Sequence, residues 1–187
     1  MNKVLVFLLL LNFAYIGILP RIFFKKDGRY NLMWWVTAGP LFLNALVILS
    51  QYIGFIDLSP YWILSDFGVL GTVVLSSFSI GMISYTMGTH RIPLSLWHQN
   101  NDAPVNVVTW GAYKYIRHPF YSSFITTQIA SVLLLPHIVT FSAMILCLLI
   151  LNQTASREER RLSESNFGSE YKNYMTQSGR FFPKFGA

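Results

Sequence analysis

The chain holds a single cysteine, Cys147, inside an apolar run, so no intrachain disulfide can form and no redox compartment can be read from it. Charge is scarce too: 12 % of the residues are Asp, Glu, Lys or Arg, against 53 % that are hydrophobic. A soluble domain carries about 25 % charged residues, so this balance argues against an ordinary water-soluble fold and suits an integral membrane protein. Acidic residues are the rarer sign, 8 against 14 Lys and Arg. The basic residues do not gather on a polar module but stand at the ends of apolar runs, which points to membrane topology and away from a nucleic-acid partner. His90 and His98 lack the spacing and companions of a metal site, so no metal is expected. No internal repeat and no low-complexity segment is present. The first apolar run follows Lys3 but has no small-residue cleavage site after it, so it is expected to stay as a span and not to be removed as a leader.

What the chain does have is a series of apolar runs. They are Val4–Leu19, Leu32–Ile56, Tyr61–Met87, Pro119–Leu135 and His137–Leu151. At 1.5 Å per residue, runs of this kind are what a hydrocarbon core of about 30 Å requires. They predict an all-α, polytopic membrane protein with about five transmembrane helices over residues 4–19, 32–56, 61–87, 119–135 and 137–151. The prediction is one integral membrane domain over residues 1–187 that ends in a cytoplasmic helical segment. Only Pro136 parts the last two runs, so these must form a tight antiparallel hairpin. Beyond them the chain is expected to leave the membrane through Asn152–Ser156 into a charged helix, Arg157–Phe167. With five spans, every Lys and Arg except Lys3 falls on one side, and Asp57 and Asp66 fall on the other. The positive-inside rule then puts the C-terminus in the cytoplasm and the N-terminus outside. Within the spans, Gly68, Gly71, Ser77, Gly81 and Ser84 read as close helix packing, and Asn12 and Asn44 as interhelical hydrogen bonds. Ser123, Thr127 and Ser131 recur on one helix face and read as packing as well.

Polar chemistry collects in two places on the basic side. The stretch Gly111–Tyr121 reads GAYKYIRHPFY. Proline suits the first position of a helix, so Arg117 and His118 are expected at a helix N-terminus. Free backbone N–H groups and the helix dipole favour an anion there. The second cluster, Arg157, Glu158, Glu159, Arg160 and Arg161, lies just past the fifth run, and the hairpin makes the two clusters neighbours. A cationic helix start facing two carboxylates fits a ligand with both charges, such as an amino-acid-like group, and a ribose would offer hydroxyls to a Glu.

The pattern G-x3-Y-(V/I)-R-H-P-x-Y, followed after one hairpin by E-E, resembles that of the isoprenylcysteine carboxyl methyltransferases and their prokaryotic relatives. Phospholipid N-methyltransferases are more distantly similar. Here it is carried by Gly111, Tyr115, Ile116, Arg117, His118, Pro119, Tyr121, Glu158 and Glu159. Leu162, Phe167, Gly168, Glu170, Tyr171, Tyr174, Gly179, Arg180 and Pro183 look like that family's C-terminal ending. The resemblance covers the chain from Gly111 onward.

The resemblance implies a five-span methyltransferase that binds S-adenosylmethionine without a Rossmann domain, in a part spanning residues 111–187. A lipophilic acceptor would reach it from the bilayer, in a prokaryotic plasma membrane, with membrane lipids as its surroundings. Arg117, His118, Pro119 and Tyr121 would line the cofactor's methionine end, with Tyr115 a further cofactor-binding residue, and Glu158 and Glu159 would hold its ribose or ammonium, without distinction between the two. A carboxylate acceptor, such as that of a prenylated cysteine-like molecule, needs no general base. An amine or thiol would need one, for which His118 or His90 is the candidate. Arg91 or Arg180 could orient an anionic acceptor by a bidentate contact. Ser123 and the bulky Phe124 depart from the family pattern beside the expected passage, and the segment Arg91–Trp110 is not part of that pattern. Two alternatives stand beside this reading. One is an NADPH-dependent reductase, since the larger membrane sterol reductases have a related pocket. The other is a non-catalytic membrane sensor or scaffold.

Overall fold

The computed structural model describes residues 1–18, 39–61, 66–89 and 107–184. Six α-helices lie among them: α1 (Lys3–Ile18), α2 (Leu43–Tyr52), α3 (Asp66–Thr89), α4 (Pro119–Leu134), α5 (Ile138–Ser163) and α6 (Gly168–Gln177). Short 3-10 turns at Gly39–Phe42 and Gly111–Lys114 lead into α2 and towards α4. The described residues contain no strand, only one parallel bridge between Ile116 and Gly179. The fold is all-α, as the sequence predicts.

α4 is the axis of the molecule. It is buried along almost its whole length and packs against α1, α2, α3 and α5. A helix so rich in hydroxyls can be buried because each polar group finds a partner. Ser123, Thr126, Thr127 and Ser131 bond to carbonyls about one turn back. Ser79 Oγ of α3 lies 2.9 Å from Thr127 Oγ1, so the Ser123–Thr127 stripe belongs to packing. Asn12 Nδ2 donates to Ser76 O at 3.3 Å. Asn44 Nδ2 donates to Gln128 Oε1 at 2.6 Å and to Thr140 O at 3.1 Å. Both asparagines therefore join helices, as expected of polar residues between spans.

Among the described residues two helices, Asp66–Thr89 and Ile138–Ser163, are long and apolar enough to cross a membrane. That is fewer than the five expected, for local reasons. The second run does not form one helix over its described part: Gly39 and Pro40 sit in a 3-10 turn, and only Leu43–Tyr52 is α-helical. α1 and α4 have 16 residues each, about 24 Å at the α-helical rise and short of a 30 Å core. The third helix begins at Asp66, after residues outside the description. The Arg21–Arg29 loop, on which the orientation rests in part, is also outside it.

α5 corrects a further expectation. It continues unbroken from Ile138 to Ser163, so Asn152–Ser156 is helical, Arg157–Ser163 is its last part, and the charged helix expected to reach Phe167 ends at Ser163. No Gly or Pro interrupts that stretch, and its polar residues lower helix propensity only slightly. His137 caps the start, its Nδ1 accepting from Val139 N at 3.2 Å. With 26 residues the helix is about 39 Å long, so its charged end stands beyond the apolar part.

The end of α3 is fixed against the approach to α4. Gly111 has φ +58°, and a Cβ there would lie 2.3 Å from Thr89 Oγ1. Only glycine suits both the backbone angle and that close approach. Thr89 Oγ1 then accepts from Ala112 N at 3.2 Å.

Candidate active site

α4 starts at Pro119, with His118 as its N-cap. Residues 115–118 arrive beside the C-terminal tail, and the two segments exchange backbone hydrogen bonds. Gly179 N donates to Tyr115 O at 3.0 Å, Arg117 N to Gly179 O at 2.8 Å and His118 N to Arg180 O at 3.0 Å. The N–H groups of Arg117 and His118, just ahead of the helix, are thus taken by tail carbonyls.

Arg117 is equally engaged. Its Nε donates to Glu159 Oε1 at 2.8 Å, and its Nη1 to Met175 O at 3.3 Å and to Ser178 O. It ties the end of α5 to the end of α6. Arg180 approaches the same carboxylate from the tail. Its Nε lies 3.2 and 3.1 Å from the two Glu159 oxygens, and its Nη2 is 2.5 Å from Oε2. Its Nη1 donates to Asn152 Oδ1 at 2.7 Å and to Ser156 Oγ at 3.0 Å.

His118 stands between the two glutamates. Its Nε2 is 3.3 Å from Glu159 Oε1, without the angle of a full hydrogen bond, and its Nδ1 is 3.5 Å from Glu158 Oε2. Tyr121 stacks on the imidazole with centroids 5.2 Å apart, and its hydroxyl donates to Glu158 Oε1 at 2.7 Å. Phe181 of the tail closes the aromatic side, 6.0 Å from the His118 ring.

The two carboxyls are pushed in opposite directions. Burial alone would raise Glu159, but the close His118 imidazole and the bonds from Arg180 and Arg117 outweigh it and hold this carboxyl well below its usual range. Burial pushes Glu158 up to about 7; the Tyr121 hydroxyl and the Arg161 charge oppose this, while Glu159 adds to it. Burial likewise lowers His118, against the pull of Glu159 and with help from Arg117 and Arg180. Glu159 is therefore an ionised, fully partnered anchor, with a side chain 5 % exposed. Glu158 is 25 % exposed and is bonded by no guanidinium among the described residues. Neighbouring acids set this far apart can take different roles.

The structure gathers Arg117, His118, Pro119, Tyr121, Glu158 and Glu159 at one end of the α4–α5 hairpin. Tyr115 enters through its carbonyl alone, since its side chain is 59 % exposed. His90 and Arg91 lie outside the described residues. Arg180, considered from sequence as an acceptor-orienting group, instead belongs to this cluster. Asn152 and Ser156 went unnoticed, although with Glu159 they recur at helical spacing on one face of α5.

These features define a helical membrane protein whose charged cluster is shared by a buried helix start, the end of a spanning helix and the C-terminal tail. The chain belongs to the isoprenylcysteine carboxyl methyltransferase (ICMT) family, which it matches over residues 70–164. It is accordingly a membrane methyltransferase. The matched region runs from α3 to the end of α5 and holds both the Arg117–Tyr121 stretch and the two glutamates; the tail lies beyond it. No curated protein matches the chain.

Proposed function

We propose that the chain transfers a methyl group from S-adenosylmethionine to a small lipophilic acceptor that arrives from the bilayer, with Glu158 as the carboxylate that meets the donor. The observation that carries this is the contrast between the glutamates. Glu159 is already matched by two guanidinium groups, whereas Glu158 is partly accessible and, among the described residues, is held by Tyr121 and His118 and by no guanidinium. A half-buried carboxylate bonded by no guanidinium among the described residues suits a ligand that brings its own positive charge or sugar hydroxyls. The donor set therefore fits S-adenosylmethionine, with Glu158 accepting from its ammonium or ribose and Tyr121 keeping that carboxylate in place.

S-adenosylmethionine supplies a methyl group already activated by the sulfonium. The protein's part is to align the acceptor and exclude water. His118 is poorly placed to take a proton from an acceptor, because each ring nitrogen faces a carboxylate and the side chain is 9 % exposed. That favours an acceptor that is nucleophilic as an anion, and the carboxylate of a prenylated cysteine-like molecule is the best match. Arg91 or His90 would orient it.

The test uses the full chain in detergent with S-adenosylhomocysteine and with NADPH in calorimetry, then labelled S-adenosylmethionine with a lipid extract and mass spectrometry of the products. Binding of the homocysteine compound and label in a lipophilic methyl ester are expected. Binding of NADPH alone would overturn the reading, and donor binding without transfer would leave a sensor.

A further inference from the structure

Arg180 lies outside the residues that match the family, yet it contacts the site in two ways at once. Its guanidinium forks the Glu159 carboxylate, and its carbonyl accepts from His118 N at 3.0 Å. A receptor is built for it on α5, where Asn152, Ser156 and Glu159 converge on the one guanidinium. Glu159 Oε1 in turn faces His118 Nε2 at 3.3 Å, which leaves Nδ1 directed at Glu158 Oε2. The chain of contacts runs from tail to anchor, from anchor to imidazole, and from imidazole to the ligand-side carboxylate.

We propose that Arg180 is a positioning residue for the methyl-transfer site, acting through Glu159 to set the orientation and protonation of His118 and thereby the carboxylate of Glu158. This deepens the reading of Glu158 as the donor's carboxylate and rests on it for the effect on ligand. Arg suits the task because its planar fork can grip a carboxylate and two further acceptors, which an ammonium cannot do with one geometry. Second-layer partners of this kind fix the tautomer and direction of an imidazole. The groups that face His118 are Arg117 beside it, Tyr121 on α4, Glu158 and Glu159 on α5 and Arg180 in the tail, with Tyr171 of α6 in the field of Glu159 and Arg117. Of these, Arg180 is one of two cations that disfavour a charged His118.

The experiment follows the His118 ring by NMR in histidine-labelled full-length protein without ligand, using His118→Asn to assign its signal among the four histidines. Arg180→Gln removes the cation, so His118 should titrate at higher pH, while Arg180→Lys keeps the charge and should hold the midpoint near that of the parent. Arg180→Met, which retains the side-chain stem, is the second neutral variant should Arg180→Gln not fold. Ser122→Ala controls for a loosened tail and N-cap, since it removes the contacts of Ser122 Oγ with Phe181 O (2.6 Å) and His118 O (3.1 Å) without touching Glu159. An unmoved midpoint in the neutral variants, or an equal shift in Ser122→Ala, would overturn the proposal. S-adenosylhomocysteine affinity should fall about tenfold to a hundredfold in the neutral variants, the span expected for one charged hydrogen bond. Absence of ligand binding by the parent protein would instead overturn the donor reading, a result separable from the His118 titration.

Discussion

His118 and Tyr121 lie face to face, with planes 2° from parallel, and both direct polar atoms at the Glu158 carboxylate. The stack explains how an imidazole at a helix N-cap keeps one orientation, because rotation of the ring would break the aromatic contact and both carboxylate contacts together. It also makes the Tyr121 hydroxyl separable from the Tyr121 ring.

Tyr121→Phe keeps the ring and removes the 2.7 Å bond to Glu158 Oε1. A hydrogen bond to a charged group contributes about 1.5–3 kcal/mol, so S-adenosylhomocysteine affinity should fall by roughly tenfold or more at neutral pH. The phenol also favours the ionised form of Glu158, so the pH at which affinity is half developed should move upward. Calorimetry across the neutral range checks both effects. Parent-like affinity at every pH would mean that the phenol does not hold the ligand-side carboxylate.

Glu158 should leave a mark on stability as well as on binding. Its carboxyl rises from 4.5 to about 7 in the folded protein, so between those values the folded state keeps a proton that the unfolded chain has released. Stability must then decline as pH rises through that window. Glu158→Gln removes this contribution, and its Tm should vary less with pH over the same range than that of the parent. Identical curves for the two proteins would place Glu158 in a more solvated setting.

The core of the site was legible because proline and chain economy leave little choice. Pro119 marks the start of α4, and Pro136 forces α4 and α5 into a hairpin, which brings Arg117 and His118 to Glu158 and Glu159. The tail's place in the site was expected, but the way it is held was hidden, since backbone pairing of residues 115–118 with Gly179 and Arg180 needs no side-chain pattern to announce it. That pairing makes the N–H groups of Arg117 and His118 tail anchors. The two glutamates look alike in sequence and differ only once Arg117 and Arg180 both settle on one of them. Hydropathy also misled at two points. It saw one run where, over the described part, a 3-10 turn at Gly39–Phe42 precedes the short helix Leu43–Tyr52, and it gave no sign that Asn152 and Ser156 continue α5 and receive Arg180.

Glu159→Gln tests the anchor directly. It leaves the Arg117 and Arg180 guanidinium groups facing a neutral amide in a largely buried place. Breaking a buried ion pair from one side costs about 3–5 kcal/mol, so a clearly lower Tm and faster proteolysis after Gln177 are expected. In the parent, the depressed Glu159 carboxyl supplies stability that is complete above its ordinary value of 4.5 and is lost as the pH falls towards its folded value. The variant should lack that acid-side loss. A variant as stable as the parent, with a resistant tail, would show that the guanidiniums are held without the carboxylate.

The geometry of the tail depends on Gly179 for a steric reason. A Cβ there would stand 1.7 Å from Phe182 O and 2.9 Å from Phe182 C, both backbone atoms that cannot swing aside. Gly179→Ala must therefore open the following turn, drawing Gly179 O away from Arg117 N and Arg180 O away from His118 N. Losing that register displaces the Arg180 fork from Glu159, so donor-product affinity should drop about tenfold or more, as for a lost charged hydrogen bond. Gly81 of α3 provides the contrast, since nothing lies within 4 Å of a Cβ built on it. Gly81→Ala should leave both affinity and Tm close to the parent's. If calorimetry finds Gly179→Ala binding like the parent, the tail adapts without its tight turn, and its carbonyls do not set the position of His118.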